Sequence, residues 1–266
     1  MIRIGLSSTA LLTASARNVI AAASAAGIDA IEWAGDIHVP HNDASVARET
    51  MIDTLRAGLT TASYAPLYRV ESGGEPGLRF DAVLDAAVEL HSPILRVFVG
   101  ESSATSKDAE QRGHLIAELK RLGDRAGQRG MTVCLSFGRN TYLDRYAPAV
   151  DLVNEIAHPF VRLAWEALPG TAPEECSAAL EAAGGSVGML LVRRIERDGA
   201  SGPLEKEEAA WRKRLAAFKR AEIDPKMGQF IVIAAIRDSA PQDSAAALPG
   251  LAEDAALLRR LIAEIE

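Results

Sequence analysis

Short runs of β-branched and aliphatic residues alternate with longer segments rich in alanine, leucine, glutamate and arginine along the chain. The short runs have the length of buried strands, and the longer segments have the period of amphipathic helices. Strands are predicted at residues 2–6, 29–33, 59–64, 94–99, 132–137, 161–165, 187–192 and 230–236. Helices are predicted at residues 14–26, 44–57, 78–91, 108–129, 144–157, 173–183, 204–221 and 244–265.

This strict alternation predicts parallel strands that are joined by crossover helices. Eight such units in 266 residues match a closed (β/α)8 barrel, a TIM barrel of the α/β class, with residues 1–266 as a single domain. A doubly wound open sheet is the alternative. It is disfavoured because LSSTALL follows the first strand, where dinucleotide-binding sheets have G-x-G-x-x-G. Gly27, Gly58 and Gly130 each separate a helix from the next strand, as glycines that close a helix do.

Composition and charge narrow the range of functions. The chain has 29 basic and 36 acidic side chains and a net charge of −7, which disfavours a nucleic-acid partner. Its two cysteines, Cys134 and Cys176, form no CxxC pair, so neither a disulfide framework nor a cysteine zinc site is expected. Serines and threonines interrupt the apolar start, unlike a secretory signal, and no run of about 18 apolar residues is present. We expect a cytoplasmic protein with no membrane partner.

In such a barrel, the functional residues follow the carboxyl ends of the strands and form the barrel mouth. Arginines recur at these positions, and a guanidinium suits a carboxylate or a phosphate. We therefore predict a polar or anionic small-molecule ligand. Its predicted binding residues are Trp33, His38, Tyr68, Arg69, Arg96, Arg139, Arg193 and Arg237. The alternative is that half of the arginines form structural ion pairs with Glu32, Glu101, Glu166 and Asp238.

Glu32 and Glu166 are the predicted catalytic residues. Glu32 closes an apolar strand, where burial is expected to raise its pKa toward acid–base use, unless an arginine holds it as a structural pair. Glu166 is its predicted partner across the mouth. His38, His41 and Asp43 give only a weak metal-binding pattern. The sequence contains no HExxH, G-x-S-x-G, GxxxxGK[ST] or EF-hand motif.

Five segments of the chain are distinctive: GIDAIEWAGDIHVPHND, YAPLYRVESG, PILRVFVG, NTYLDRYAPAVDLVNEIAHPFVRLAW and IRDSAP. Together they resemble the xylose isomerase-like TIM-barrel superfamily, which includes sugar phosphate isomerase/epimerase-like and AP endonuclease family 2-like proteins. The resemblance covers essentially the whole chain and implies a role in carbohydrate metabolism. It also implies a divalent metal at the barrel mouth, which polarises a carbonyl while a carboxylate moves a proton.

The metal ligands that this resemblance implies are missing at most positions. Ser136 stands on the fifth strand where a Glu is expected, and Gly138 stands where a His usually follows. Leu191 lies near the histidine position of the seventh strand, and Ala234 replaces the last Glu on the eighth. Only Glu166, on the sixth strand, keeps a carboxylate. One oxygen ligand does not make a Mg²⁺ or Mn²⁺ site, so we expect a degenerate metal site and no cofactor.

Two functions therefore remain open at this stage. The first is a sugar or sugar-phosphate isomerase or epimerase, or a related lyase, that transfers a proton without a metal. The second is a non-catalytic barrel, or pseudoenzyme, that binds a sugar-like or anionic small molecule or a protein partner. The DNA-repair endonucleases of the superfamily need a His/Glu metal cluster and a basic face. They are disfavoured because this sequence shows neither. Barrels of this superfamily often pair, so a homodimer is one expected state.

Overall fold

Strands and helices alternate in the computed structural model, which describes residues 1–70, 79–100, 102–104, 108–193, 202–221, 228–234 and 249–265. The strands are β1 (Ile2–Ser7), β2 (Ala30–Ala34), β3 (Thr60–Ala65), β4 (Arg69–Val70), β5 (Ile94–Val99), β6 (Thr132–Ser136), β7 (Val161–Glu166), β8 (Val187–Val192) and β9 (Gln229–Ile233). The helices are α1 (Ala16–Ala25), α2 (Ala44–Arg56), α3 (Phe80–Glu89), α4 (Ala109–Gly127), α5 (Tyr146–Ile156), α6 (Pro173–Ala183), α7 (Glu208–Arg220) and α8 (Pro249–Ile265).

Eight of these strands close into a parallel barrel, which confirms the predicted (β/α)8 TIM barrel. The order of hydrogen-bonded neighbours is β3-β2-β1-β9-β8-β7-β6-β5, and β3 pairs with β5 to complete the cylinder. This closing seam is thin, because Tyr64 and Leu95 are its one aligned pair. The two-residue strand β4 continues the same edge of β5 beyond the seam, where Arg69 aligns with Phe98.

The predicted helices and strands differ from the observed ones mainly at their ends. The sequence pattern did not predict β4, which is too short to show a period. Residues 204–207 form a 3-10 turn, so α7 begins at Glu208. The predicted ends at residue 236 of the last strand and at residue 244 of the last helix lie outside the described residues. No helix in the described ranges combines the length and the apolar character needed to cross a bilayer.

Several predicted boundary residues have the expected conformation. Gly27, Gly58 and Gly130 have φ angles of 67°, 77° and 72°, which a side chain would disfavour. Asp43 caps α2 by accepting hydrogen bonds from the backbone N–H groups of Ser45 and Val46.

Two apolar layers surround the strands. Inside the barrel, a cluster of mostly small or medium side chains fills the space below the mouth: Ala30, Ala62, Ile94, Cys134, Ala164, Met189, Leu191, Phe230 and Val232. The larger layer lies between the strands and the helices and contains Trp33, Tyr64, Trp165 and Trp211. Successive strand residues face opposite layers. Polar side chains that face inward are therefore collected at the carboxyl ends of the strands, above the apolar interior.

Candidate functional site

The carboxyl ends of β1, β2, β3, β5 and β6 bring five polar side chains together at the barrel mouth. These residues are Ser7, Glu32, Ser63, Arg96 and Ser136. All of them except Arg96 are fully buried, and the Arg96 side chain is 13% exposed. They lie far apart in sequence and meet because parallel strands in a barrel end on the same face.

Glu32 is held by four hydrogen bonds. The Nε and Nη2 atoms of Arg96 donate to Oε2 and Oε1 of Glu32, both at 2.8 Å. Ser7 Oγ donates to Oε1 at 2.8 Å, and Ser63 Oγ donates to Oε2 at 2.7 Å. A bidentate arginine and two hydroxyl donors leave this carboxylate fully engaged within the protein.

The pKa of Glu32 is lowered overall, so the expected net shift toward acid–base use is wrong. Burial does act to raise the pKa. The charge of Arg96 and the hydrogen bonds from Arg96, Ser63 and Ser7 outweigh it. The structural ion pair that stood as the alternative is therefore confirmed for Glu32 and Arg96, and Glu32 remains a carboxylate well below neutral pH.

Glu166 has a different environment at the end of β7. Its side chain is 6% exposed, and Oε2 lies 2.6 Å from Nη2 of Arg193. Burial raises the pKa of Glu166, and the charges of Arg193 and Arg96 only partly offset this effect. The Arg193 side chain is 28% exposed, and its buried Nε has no hydrogen-bond partner among the described residues. Glu166 is therefore the mouth carboxylate that is suited to exchange a proton.

Arg96 links the two carboxylates electrostatically. Burial acts to lower the pKa of Arg96, but the carboxylates of Glu32 and Glu166 raise it above its ordinary value. Nη1 of Arg96 also donates to Ser136 Oγ at 2.8 Å. Negative and positive side chains thus alternate across the mouth in the order Glu32, Arg96, Glu166 and Arg193.

Three predicted ligand-binding residues lie in packed positions instead of lining the mouth. Trp33 is fully buried in the outer layer, because it neighbours Glu32 on β2 and so faces the opposite side. Tyr68 is 5% exposed and packs against Phe80 of α3. His38 is 8% exposed and its Nε2 lies 3.0 Å from the carbonyl oxygen of Ala14.

The pKa of His38 is lowered by burial, and the carbonyl groups of Ala14 and Leu11 offset this only in part. A neutral imidazole that is bonded to the β1–α1 loop does not supply positive charge for an anion. The structure therefore corrects the expected placement of His38 and assigns it a contact that anchors this loop.

Two of the remaining predicted arginines, Arg69 and Arg139, lie at the rim. Arg69 donates to the carbonyl oxygen of Gly100 at 3.3 Å and stacks over the ring of Phe98, with 5.1 Å between the guanidinium carbon and the ring centroid. Arg139 is exposed in the β6–α5 loop. Arg237, Glu101 and Asp238 lie outside the described residues.

Ser63 is a site residue that the sequence pattern did not indicate. It lies within the predicted third strand and carried no loop or motif signal. A register shift between Ile31 and Glu32 aligns Glu32 with Ser63. A β-bulge of this kind changes which residue faces a neighbour, and a hydrophobic pattern does not reveal it. The one feature of the sequence that could have indicated Ser63 is its hydroxyl beside the small residue Ala62 in TTASYA.

The described residues of the mouth do not fit a divalent metal. The Arg96 guanidinium bonds both oxygens of Glu32 and contacts Ser136, so a permanent positive charge lies among the oxygen donors. Leu191, near one expected ligand position, belongs to the apolar cluster inside the barrel, and Ala234 has no donor atom in its side chain. Within the described part of the chain, no group of three or more His, Cys, Asp or Glu residues is placed to hold a metal ion.

Solved structures with the same architecture were found, whereas no protein-family profile and no curated protein matches the chain. A xylose isomerase-like TIM barrel protein from Mycobacterium smegmatis in complex with magnesium has a TM-score of 0.68 and 15% identity, covering 99% of this chain and 98% of that one. The IOLI protein with a bound zinc atom has a TM-score of 0.72 and 13% identity, with 99% of both chains covered.

An L-ribulose 3-epimerase is also similar, with a TM-score of 0.69 and 13% identity over 100% of this chain and 96% of that one. Sequence identities this low show a shared architecture but do not show a shared chemistry. Since the similarity spans nearly the full length of each chain, this protein has the fold of the xylose isomerase-like TIM barrels.

Proposed function

We propose that this protein is a sugar or sugar-acid isomerase or epimerase that transfers a proton through Glu166 without a divalent metal. The observation that carries the proposal is the buried Glu166 carboxyl at the end of a barrel strand, with a raised pKa and one arginine contact. A carboxyl whose pKa moves toward neutrality is an effective general acid and base. The fold is shared with a structure described as an L-ribulose 3-epimerase, so this class of reaction is compatible with the fold.

In the proposed reaction, the Glu166 carboxylate takes a proton from the carbon next to a substrate carbonyl. The C–H electron pair forms the carbon–carbon double bond of an enediolate, and the carbonyl oxygen becomes negative. Arg96 and Arg193 provide the nearby positive charge that stabilises this oxygen. Protonated Glu166 then returns its proton. Delivery to the former carbonyl carbon, while the adjacent hydroxyl proton moves to the former carbonyl oxygen, shifts the carbonyl to the neighbouring carbon. Delivery to the original carbon inverts that centre when the enediolate has turned its other face to Glu166.

The ligand of this proposal is polar and anionic. Arg193 has a buried Nε without a partner in the described part of the chain, and Arg139 is exposed at the rim. Guanidinium groups in these positions are suited to a carboxylate or a phosphate on a sugar. Sugars with the same number of carbons, with and without a phosphate, are therefore the substrates to compare.

The test is solvent deuterium exchange. EDTA-treated protein is incubated in D2O with aldoses, ketoses, sugar acids and their phosphates, and loss of the C–H signal next to the carbonyl is followed by proton NMR. We expect exchange with at least one anionic sugar and a loss of about 100-fold or more in Glu166→Gln. Glu49→Gln, which changes an exposed carboxyl of α2, is the matched control and retains the rate.

A non-catalytic barrel that binds an anionic sugar is the second candidate. The observation that favours it is that both mouth carboxylates contact arginines. Calorimetric titration of the same sugars separates the two functions. Saturable binding of a sugar together with no deuterium exchange in any sugar would contradict proton transfer and support the binding protein.

A further inference from the structure

The guanidinium of Arg96 contacts one position where the family resemblance implies a metal ligand and interacts with a second. Its Nη1 donates to Ser136 at 2.8 Å, and Ser136 stands where a ligand Glu is expected. It also interacts electrostatically with Glu166, the one expected ligand position that keeps a carboxylate. The positive charge of this mouth is therefore part of the protein, located among the groups that would surround a metal ion.

The protein holds this guanidinium in one orientation. Two parallel hydrogen bonds to Glu32 fix its plane, and the hydroxyls of Ser7 and Ser63 fix Glu32 in turn. Such a bidentate pair has little rotational freedom, unlike the point charge of a lysine. The geometry is that of a preorganised cation whose position does not depend on ligand.

Arg96 also retains unused binding capacity. A guanidinium has five N–H donors, and three of them bond Glu32 and Ser136. One N–H on Nη1 and one on Nη2 have no bonded partner among the described residues. These two donors can bond an oxygen of a ligand without breaking the pair with Glu32.

We propose that the Arg96 guanidinium replaces the divalent cation of the related metal-binding barrels and binds an anionic oxygen of the ligand through its two free N–H groups. The proposal rests on the proposed function for the class of ligand, a sugar acid or sugar phosphate. The cation replacement itself is independent of catalysis. The two proposals are therefore tested separately. Deuterium exchange tests proton transfer by Glu166, and the two experiments below test charge replacement by Arg96.

The first experiment measures the melting temperature of EDTA-treated protein with added Mn²⁺, Mg²⁺ or methylguanidinium. A species that binds only the native state raises the melting temperature by mass action. We expect none of them to stabilise the wild type. Arg96→Ala removes the guanidinium from between two carboxylates, so its melting temperature falls and methylguanidinium or Mn²⁺ raises it saturably. Arg17→Ala, at a side chain that is 87% exposed, is the control and shows neither effect.

A saturable rise of the wild-type melting temperature with Mn²⁺ or Mg²⁺ would overturn the proposal, because the mouth would then hold a metal beside Arg96. Failure of both additives to stabilise a folded Arg96→Ala protein would overturn it as well. Should Arg96→Ala not fold, Arg96→Lys takes its place. This variant keeps the charge, and we expect it to remain unresponsive to Mn²⁺, whereas stabilisation by Mn²⁺ would count against the proposal.

The second experiment measures binding of D-gluconate and inorganic phosphate by calorimetry in metal-free buffer. We expect the wild type to bind at least one of these probes and Arg96→Lys to bind it about tenfold more weakly, which corresponds to one lost hydrogen bond to a charged group. Arg17→Lys is the matched control and retains the wild-type affinity. Equal affinity in the wild type and Arg96→Lys, or no binding of either probe to the wild type, would contradict the role of Arg96 in the ligand site.

Discussion

The two ion pairs at the barrel mouth use the same residue types and have opposite properties. Glu32 and Arg96 share two parallel hydrogen bonds, and two serine hydroxyls complete the contacts of the carboxylate. Glu166 Oε2 lies 2.6 Å from Arg193 Nη2, and the Arg193 side chain is more than a quarter exposed. The pKa of Glu32 is lowered, whereas the pKa of Glu166 is raised.

The number of partners accounts for this difference. Both carboxyl groups are buried, and burial raises the pKa of each. Four hydrogen bonds and a close bidentate charge outweigh burial at Glu32, but the charges of Arg193 and Arg96 do not outweigh it at Glu166. The barrel mouth therefore contains one Glu–Arg pair that holds its side chains in a fixed orientation and one whose carboxyl is suited to proton transfer.

The largest expected effect is a difference in the free energy of unfolding between variants of the two arginines. Arg96→Met leaves the Glu32 carboxylate buried without its counterion, so we expect a loss of about 3–5 kcal/mol in the free energy of unfolding. Arg193→Met removes a partly exposed partner, and Glu166, whose pKa is already raised, can take up a proton in its absence, so the expected cost is smaller, about 1 kcal/mol. Urea unfolding at neutral pH measures both.

The control is the double variant Glu32→Leu with Arg96→Met, which removes both charges together. It is expected to recover most of the loss, because replacing a buried pair with apolar groups avoids an unpaired charge. Similar losses in the two single arginine variants would show that the two pairs do not differ in the way described.

The next effect concerns pH, because Glu166 and Glu32 are expected to change the stability of the protein in opposite directions as the pH rises. Native Glu166 keeps its proton to a higher pH than the unfolded chain does, so its contribution to stability falls as pH rises from about 4.3 through the native pKa. Glu166→Gln is expected to abolish this fall and to gain stability relative to wild type between acidic and neutral pH.

Glu32 has the opposite sign. Its lowered pKa gives a contribution that is present above about 4.3 and is lost as the pH falls through the native value. Glu32→Gln is therefore expected to cost more at neutral pH than in acid. Urea unfolding of both variants across the acidic range tests the two signs, and a parallel pH dependence of the two variants would refute the assignment.

The smallest effect concerns the serine that sequence analysis missed. Ser63→Ala removes one donor to Glu32 and is expected to destabilise the protein by about 1 kcal/mol. Ser177→Ala is the matched control, because its hydroxyl bonds the carbonyl oxygen of Pro173 within α6, and it is expected to have a smaller effect. Thermal or urea unfolding compares them, and equal values would remove Ser63 from the set that fixes Glu32.

The fold could be predicted from the sequence because it repeats one local pattern. Each short apolar run followed by an amphipathic segment independently indicates a strand and a helix, and eight such units specify a closed barrel. The two-residue strand β4 and the 3-10 turn at 204–207 were not predicted, since neither is long enough to show a period.

The site could be predicted only in part. The positions of Glu32, Arg96, Glu166 and Arg193 after or within inward-facing strand ends were sufficient to place them at the mouth. Ion pairing was an open alternative, but which arginine pairs with which carboxylate was not predictable, since it depends on side-chain distances across strands far apart in sequence. Trp33 was predicted at the mouth because it ends the predicted second strand, but the alternation of strand faces places it on the side opposite to Glu32.

The thin seam between β3 and β5 has a consequence for the motion of the barrel. Tyr64 and Leu95 are aligned there, and Arg69 and Phe98 resume the ladder beyond a break. Arg96 lies on β5 within this break. These strands have one aligned residue pair, fewer than the other neighbouring strands of the described sheet, so we expect local opening of the cylinder to begin beside Arg96. The two bonds from Arg96 on β5 to Glu32 on β2 span this gap, so the fixed charge also holds the two edges of the barrel together at its thinnest seam.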